Sequence, residues 1–271
     1  MFIFNLSVIF IFGLCFGSFI SMASYRFAYE NITIKDFILK NSFCPSCNNK
    51  LRARHLFPLF SWLLYRGKCG FCRQKISVRY PLIEIATALI FMAIFVALGA
   101  TVDAKLILTL LMAVTLIIMV VVDLENYFIP DFTQIFLAIL ALTYHILVPD
   151  DKGLVHYLLS AIGFFSFGLA VHFGFLFLTK KQGIGEDDLK FFAIAGLLLG
   201  IDQLLIFMIL NGLLGGIFGI LWMKLKNDDT FPFAPSICSS LLVCHFFKID
   251  YIYMMGTALY WFEKYVLKTA Y

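Results

Sequence analysis

The chain has 271 residues, of which 62% are hydrophobic and 14% charged, and its formal net charge is +4. This composition excludes an ordinary soluble domain and predicts an all-α polytopic membrane protein in contact with the lipid bilayer. The excess positive charge lies in one membrane-proximal loop, so it does not call for a nucleic-acid partner.

About eight apolar runs are candidate transmembrane helices, since a hydrocarbon core of about 30 Å needs about 20 apolar residues. In chain order they are Met1–Ser24, Pro81–Gly99, Leu106–Val122, Phe132–Val148, His156–Leu178, Leu189–Gly200, Leu204–Met223 and Phe231–Phe247.

Three apolar runs have unusual flanks, length or composition. The first has no basic n-region and no clear cleavage site, so we expect it to be retained as a span rather than removed as a signal peptide. Leu189–Gly200 is short, and we expect its helix to begin inside the preceding GIGEDD or to be shielded by its neighbours. Tyr251–Leu267 is tyrosine-rich, which is typical of an interfacial segment, although a ninth span is possible.

Charge predicts the orientation. Between Tyr25 and Tyr80 there are eleven Lys/Arg against two acids, so this segment is predicted to be cytoplasmic. Alternating the spans places the following residues on the same cytoplasmic side: Asp123, Lys180, Lys181, Asp188, Lys224 and Lys226. The loops Ala100–Lys105, Pro149–Val155 and Ile201–Gln203 then lie outside. Three regions result: residues 1–24 (first span), 25–80 (cytoplasmic basic insert) and 81–271 (transmembrane domain).

The insert contains two C-x-x-C pairs. Cys44 and Cys47 form the first, Cys69 and Cys72 the second, and twenty-one residues separate them. Four thiolates at this spacing suit one tetrahedral zinc ion in a structural role, because they leave no open coordination position. Two disulfides or redox pairs are the alternative, which a reducing cytoplasm disfavours. The other cysteines, Cys15, Cys238 and Cys244, lie in apolar runs and are predicted to be core thiols.

Asp123 ends one apolar run and is followed by Glu125, Pro130 and Asp131. A charge that merely ends a span is the alternative to a functional carboxylate. Pro130 should stop a helix and bend the chain back toward the bundle. We expect Asp131 to have a structural role, capping the next helix.

A second acidic cluster, Glu186, Asp187 and Asp188, lies at a predicted helix start. Gly183 and Gly185 precede it and permit close backbone approach. One acid could cap the helix, but three adjacent acids exceed that need, although Lys190 can offset some repulsion. Carboxylates at a membrane edge are costly to desolvate. Asp123 and Asp188 are therefore candidates for an aspartic protease pair, which shares one proton and activates a water molecule.

The order and spacing of these motifs resemble the type IV prepilin peptidases, the bifunctional leader peptidase/N-methyltransferase family. The resemblance covers nearly the whole chain and comprises FGSF (Phe16–Phe19) with Tyr25-Arg26 after it, the two C-x-x-C pairs, RYPLIE (Arg79–Glu84), D-x6-PD (Asp123 to Asp131), G-x-G-x-x-D-x-K (Gly183 to Lys190) and PFAPS (Pro232–Ser236).

The chain departs from the family pattern at three positions. Asp187 stands where the family often has a small residue, Glu125 where aspartate is common, and Ser21 where asparagine is usual. Because of the first departure, either Asp187 or Asp188 could be the catalytic aspartate. The two-residue step to Lys190 favours Asp188.

The resemblance implies an aspartic endopeptidase that removes the basic leader of prepilins or pseudopilins after a glycine, with Asp123 and Asp188 as the catalytic pair and no fixed division of roles between them. It implies a multi-pass protein of the bacterial inner membrane with a cytoplasmic active site, working beside pilus or type II secretion machinery.

The resemblance also implies N-methylation of the new N-terminus with S-adenosylmethionine. Gly17, Ser18, Arg79 and Glu84 are the candidate region for the methyl donor. Close helix packing is the alternative for Gly17 and Ser18, and a membrane-edge salt bridge is the alternative for Arg79 and Glu84.

Three other classes remain open. Another intramembrane aspartyl protease, of the presenilin or preflagellin-peptidase type, would share the glycine–aspartate motif but lack the four-cysteine insert. A transporter or channel with a zinc-stabilised loop would need charged residues inside its spans, which are nearly free of them. A scaffold that has lost catalysis would have no need of both aspartates.

Overall fold

The computed structural model describes residues 1–29, 41–180, 185–226 and 230–247, and the regular secondary structure of this part of the chain is helical. The helices are α1 Phe2–Tyr29, α2 Phe60–Leu64, α3 Arg79–Ala97, α4 Ala104–Asn126, α5 Asp131–Leu147, α6 Gly153–Thr179, α7 Glu186–Leu199, α8 Leu204–Lys226 and α9 Ala234–Phe247. Its extended pairing consists of two isolated bridges in the insert. The all-α prediction is therefore confirmed for the described residues.

Five helices are long and apolar enough to cross a membrane: α1, α3, α4, α6 and α8, the last with the single turn before it. This confirms a multi-pass membrane protein. The three shorter helices α5, α7 and α9 coincide with the other predicted runs. Eight crossings therefore stay a prediction, and Gly183, Lys181 and Tyr251–Leu267 lie outside the described residues.

The helix ends follow local chemistry. Asp103 caps α4, since its carboxylate accepts the backbone N–H of Leu106 at 2.8 Å. The same helix ends when Tyr127 adopts a left-handed conformation (φ 59°) and donates its N–H to the carbonyl of Asp123. The helix thus ends before Pro130. Pro130 itself is the N-cap of α5, so the expectation that Asp131 is the cap is wrong: it is the first helical residue.

The chain divides into two compact units, the first comprising Met1–Val148 and the second beginning at Pro149. In the first unit, α1 packs against α3 through Gly13 and Gly17, four residues apart. A Cβ on Gly13 would lie 2.4 Å from the Cα of Ala88, and one on Gly17 would lie 2.4 Å from the Cα of Glu84. Small residues at this spacing let helix backbones touch inside a membrane.

In the second unit, α7 packs closely on α6, because a Cβ on Gly196 would lie 2.5 Å from the carbonyl oxygen of Ser160. This helix has 14 residues and spans about 21 Å. It begins at Glu186, and nine of its apolar residues are buried. Both expectations for the short run are confirmed: the helix starts inside the acidic motif and is shielded by its neighbours.

Two of the loops predicted to lie outside meet in this unit. Lys152 forms an ion pair with Asp202 at 2.5 Å. The backbone N–H of Ile201 donates to the hydroxyl of Ser160 at 2.8 Å. The Pro149–Val155 and Ile201–Gln203 loops therefore lie at one end of the unit, as alternating spans require.

Candidate functional site

The two cysteine pairs fold into two copies of one tight turn. In the first turn, the N–H of Cys44 donates to the carbonyl of Asn49 at 3.1 Å. In the second turn, the N–H of Cys69 donates to the carbonyl of Gln74 at 2.8 Å. Asn48 and Arg73, each just after the second cysteine, both have positive φ, 54° and 62°. The turns match residue for residue, so each presents its two sulfurs in the same way.

The four sulfurs converge. The ligand atoms of Cys44, Cys47, Cys69 and Cys72 all lie within 4.8 Å of one another, and Sγ of Cys44 is 4.0 Å from Sγ of Cys72. A disulfide needs about 2.05 Å between sulfurs. Four sulfurs about 2.3 Å from a central ion are about 3.8 Å apart. The arrangement therefore fits a tetrahedral metal site.

Backbone donors favour the thiolate at Cys69 and Cys47. At Cys72, by contrast, a backbone hydrogen bond from Gln74 is outweighed by burial and the neighbouring thiols, which raise the pKa of Cys72 to about 11. Hydrogen bonds from the backbone of Cys72 and Phe71 lower the pKa of Cys69 to about 7. A backbone hydrogen bond from Asn49 lowers the pKa of Cys47. Because thiolates are the form that binds metal, these donors prepare the site for a cation.

A cavity of about 400 Å³ lies beside the cysteine cluster, between α1, the insert and the start of α3. Its volume is within the range of small-molecule sites. Aromatic, hydroxyl and cationic side chains line it together with one carboxylate: Tyr25, Phe43, Trp62, Tyr65, Tyr80, Ser18, Ser21, Ser61, Arg26, Lys68, Lys75 and Glu84 are among them.

Glu84 joins the insert to the helices. Its side chain is 6% exposed, and Oε2 accepts the N–H of Leu59 at 2.7 Å. Leu59 has φ 59° and ψ −51°, and the N–H of Phe60 donates to the carbonyl of Pro58 at 2.6 Å. This is a γ-turn of the strained kind. The Ser18 side chain also hydrogen-bonds to the Glu84 carboxylate.

Arg79 makes a different set of contacts. Its Nε and Nη2 both pair with the carboxylate of Glu125, the second at 3.0 Å. Nη2 also donates to Ser24 Oγ at 2.7 Å. The guanidinium thus ties α3 to α4 and α1. Of the four residues predicted for the methyl donor, Gly17, Ser18 and Glu84 are in mutual contact, while Arg79 belongs to this separate network.

The candidate catalytic residues occupy different settings. Asp123 lies in the last turn of α4 and is 5% exposed. Asp188 is the third residue of α7, where its Oδ2 accepts the N–H of Gly185 at 3.2 Å. Asp187 pairs with Lys190 at 3.1 Å, both side chains being partly exposed. The two candidates belong to different units.

Sequence reasoning missed two features. The partnership of Arg79 with Glu125 joins residues 46 positions apart. The cavity is lined by residues spread from Ser18 to Glu84. Their common signal was indirect: polar residues recur along the C-terminal part of α1, in a helix that is otherwise apolar.

Comparison with known proteins identifies relatives over most of the chain. A family model described as the bacterial peptidase A24 N-terminal domain matches residues 11–98. A second, described as the type IV leader peptidase family, matches residues 110–220. No solved structure matches.

Individual relatives agree. A prepilin leader peptidase/N-methyltransferase of Aeromonas salmonicida is 31% identical over 258 residues, covering 84% of this chain and 86% of the relative. One of Bacillus subtilis is 31% identical over 245 residues, covering 89% and 94%. One of Aeromonas hydrophila is 32% identical over 268 residues, covering 84% and 86%. The resemblance inferred from the motifs is confirmed.

Proposed function

This chain belongs to the type IV leader peptidase family, and from that premise we propose that it is a bifunctional membrane enzyme. It cleaves the basic leader of prepilins or pseudopilins after a glycine, as an aspartic endopeptidase. It then methylates the new N-terminal amine with S-adenosylmethionine. The observation that carries the proposal is a carboxylate, Asp123, that is buried at the end of an apolar helix, where an acidic side chain is costly to place.

In the proposed hydrolysis, Asp123 and Asp188 share one proton. The ionised carboxylate takes a proton from a water molecule, which attacks the scissile carbonyl carbon. The protonated carboxyl donates a hydrogen bond to the carbonyl oxygen, where negative charge develops. Proton return to the leaving amine completes cleavage. The pair titrates as a unit, so the two roles exchange between the residues.

Asp188 is the better candidate of the adjacent acids. Asp187 is engaged by Lys190, which offsets its charge. Asp188 is hydrogen-bonded to the backbone of Gly185, a contact that fixes the carboxylate near a helix N-terminus. We therefore assign Asp187 a charge-balancing role and Asp188 the catalytic one.

The four cysteines are proposed to hold zinc. When bound, the ion supplies a structural cross-link between the two turns of the insert, since four thiolates leave no position for a substrate. The residues 25–80 form the cytoplasmic insert, and residues 1–24 and 81–271 form the membrane part. The basic charge of the insert supports placing the insert and the active site on the cytoplasmic side of the bacterial inner membrane. There the substrate pilins meet their pilus or secretion machinery.

The direct test uses mass spectrometry of a prepilin incubated with the detergent-purified protein and S-adenosylmethionine. We expect loss of the leader and gain of one methyl group. Asp123→Asn and Asp188→Asn should each lower cleavage by about 10³-fold or more, because either change removes one of the acid–base pair.

Asp187→Asn is the matched control, because it makes the same chemical change one residue away. We expect it to retain most cleavage. Normal processing by both Asp123→Asn and Asp188→Asn would refute the catalytic assignment, and loss of cleavage by Asp187→Asn with normal cleavage by Asp188→Asn would exchange the two adjacent aspartates.

A further inference from the structure

We propose that the cavity between α1, the insert and α3 binds the methyl donor, and that Glu84 recognises the positive charge of its sulfonium. The inference rests on the proposed methyl transfer and assigns it a site. S-Adenosylmethionine carries an aromatic base, a ribose, an amino acid end and a cationic sulfur, and each needs its own kind of partner.

The cavity offers these partners within one unit of the chain. Tyr25, Trp62 and Tyr65 provide aromatic faces for a base or a cation. Arg26 and Lys68 provide cations for the carboxylate of the amino acid end. The volume of about 400 Å³ suits a ligand of this size.

Ser21 indicates that the wall is built for a polar ligand. Its side chain is 1% exposed and lines the cavity. Within the described part of the chain its Oγ has no hydrogen-bond partner. A buried hydroxyl without a partner costs free energy unless something else pairs with it. A ligand in the cavity can supply that partner.

Glu84 is the one acidic residue that the described residues contribute to the cavity lining. Its carboxylate is anchored by the Leu59 N–H and by Ser18, so it cannot swing away. A carboxylate offers about four acceptor positions, so these two contacts leave capacity for a ligand. Buried and fixed, it is suited to attract a cation.

The charge of Glu84 can distinguish the methyl donor from its product, because the reaction removes the positive charge of the sulfur. The lone pair of the pilin amine attacks the methyl carbon, the C–N bond forms as the C–S bond breaks, and the bonding pair goes to sulfur. The amine then loses its extra proton to water. The sulfur changes from a cation to a neutral thioether, so S-adenosylhomocysteine loses its attraction to Glu84. The site therefore favours the donor over the spent product.

The test measures binding to the purified full-length chain by isothermal titration calorimetry, with S-adenosylmethionine and S-adenosylhomocysteine in parallel. Wild type should bind the donor more tightly. Glu84→Gln keeps the size and an acceptor for Leu59 but removes the charge. We expect it to weaken donor binding by about tenfold to a hundredfold and to leave product binding nearly unchanged.

Two further variants complete the design. Ser21→Leu fills the cavity without changing charge and should weaken both ligands alike. Glu186→Gln removes an exposed carboxylate of the other unit and should weaken neither. An unchanged ratio of the two dissociation constants in Glu84→Gln would overturn the role of Glu84.

The same preparations are assayed for methylation of a cleaved pilin, which tests the binding site and the proposed methyl transfer separately. If the wild type methylates and both Glu84→Gln and Ser21→Leu bind the donor with unchanged affinity, the proposed binding site is wrong. The proposed methyl transfer is then still supported. Wild type that cleaves the leader but neither binds the donor nor methylates overturns the proposed methyl transfer, and the site with it.

Discussion

Replacing Gly17 by alanine tests the packing on which the cavity depends. An added Cβ would lie 2.4 Å from the Cα of Glu84 and 3.1 Å from its backbone nitrogen. These are backbone atoms, so the clash cannot be relieved by rotating a side chain. Reaching an ordinary contact of about 3.4 Å requires a shift of about 1 Å between α1 and α3, and overpacking of this kind costs about 1–3 kcal/mol.

Gly174→Ala is the matched control. A Cβ there meets nothing within 4 Å, and alanine is the better helix former by about 0.5–1 kcal/mol. Gly17 also lies inside a helix, so both variants share this gain, and the predicted difference between them is the overpacking cost of about 1–3 kcal/mol. Thermal unfolding in one detergent should show Gly17→Ala melting below wild type and Gly174→Ala at or above it.

The same change should affect one activity more than the other. The shift displaces Glu84 and the cavity wall, so methylation should fall before leader cleavage does. If Gly17→Ala has the same melting temperature as Gly174→Ala and methylates normally, the backbones of α1 and α3 are not in contact at Gly17 and the prediction is wrong.

Two more changes probe the insert and the membrane edge. The double change Cys44→Ser and Cys47→Ser should reduce bound zinc, measured by elemental analysis, from about one ion per chain to none. The control Cys15→Ser should leave the zinc content unchanged. Wild-type protein that contains no metal after purification under reducing conditions would contradict the metal site. Arg79→Lys should lower the unfolding temperature by an amount equivalent to about 1–2 kcal/mol, because lysine cannot make the two-pronged contact with Glu125, and a melting temperature equal to wild type would contradict a stabilising role for that pair.

The four-cysteine cluster shows what the spacing of residues alone can predict. Two C-x-x-C pairs predict a tetrahedral thiolate site because each pair can chelate within one turn, and this depends only on nearby residues. The structure adds that the two turns are copies of one another, with Asn48 and Arg73 in the same positive-φ conformation. Asparagine adopts this conformation more readily than most residues, so Asn48 is a weak sign of it, but Arg73 gives none.

Helix ends show the limit of local rules. Pro130 predicts a stop, yet α4 ends earlier, where Tyr127 turns left-handed. The carboxylate predicted to cap the next helix lies one position inside it, because Pro130 takes the N-cap and needs no free N–H there. Local propensity predicts the region in which a helix ends, and the contacts between the assembled helices determine the residue at which it ends.

The all-α membrane class, the four-cysteine cluster and the family could be predicted from the sequence, because hydropathy, ligand spacing and motif order are properties of short segments. The packing of Gly17 against Glu84, the pairing of Arg79 with Glu125 and the cavity lined by residues from Ser18 to Glu84 emerge only when the helices pack together. Those facts join residues far apart in the chain. They follow from which helix faces meet, and no local pattern encodes that choice.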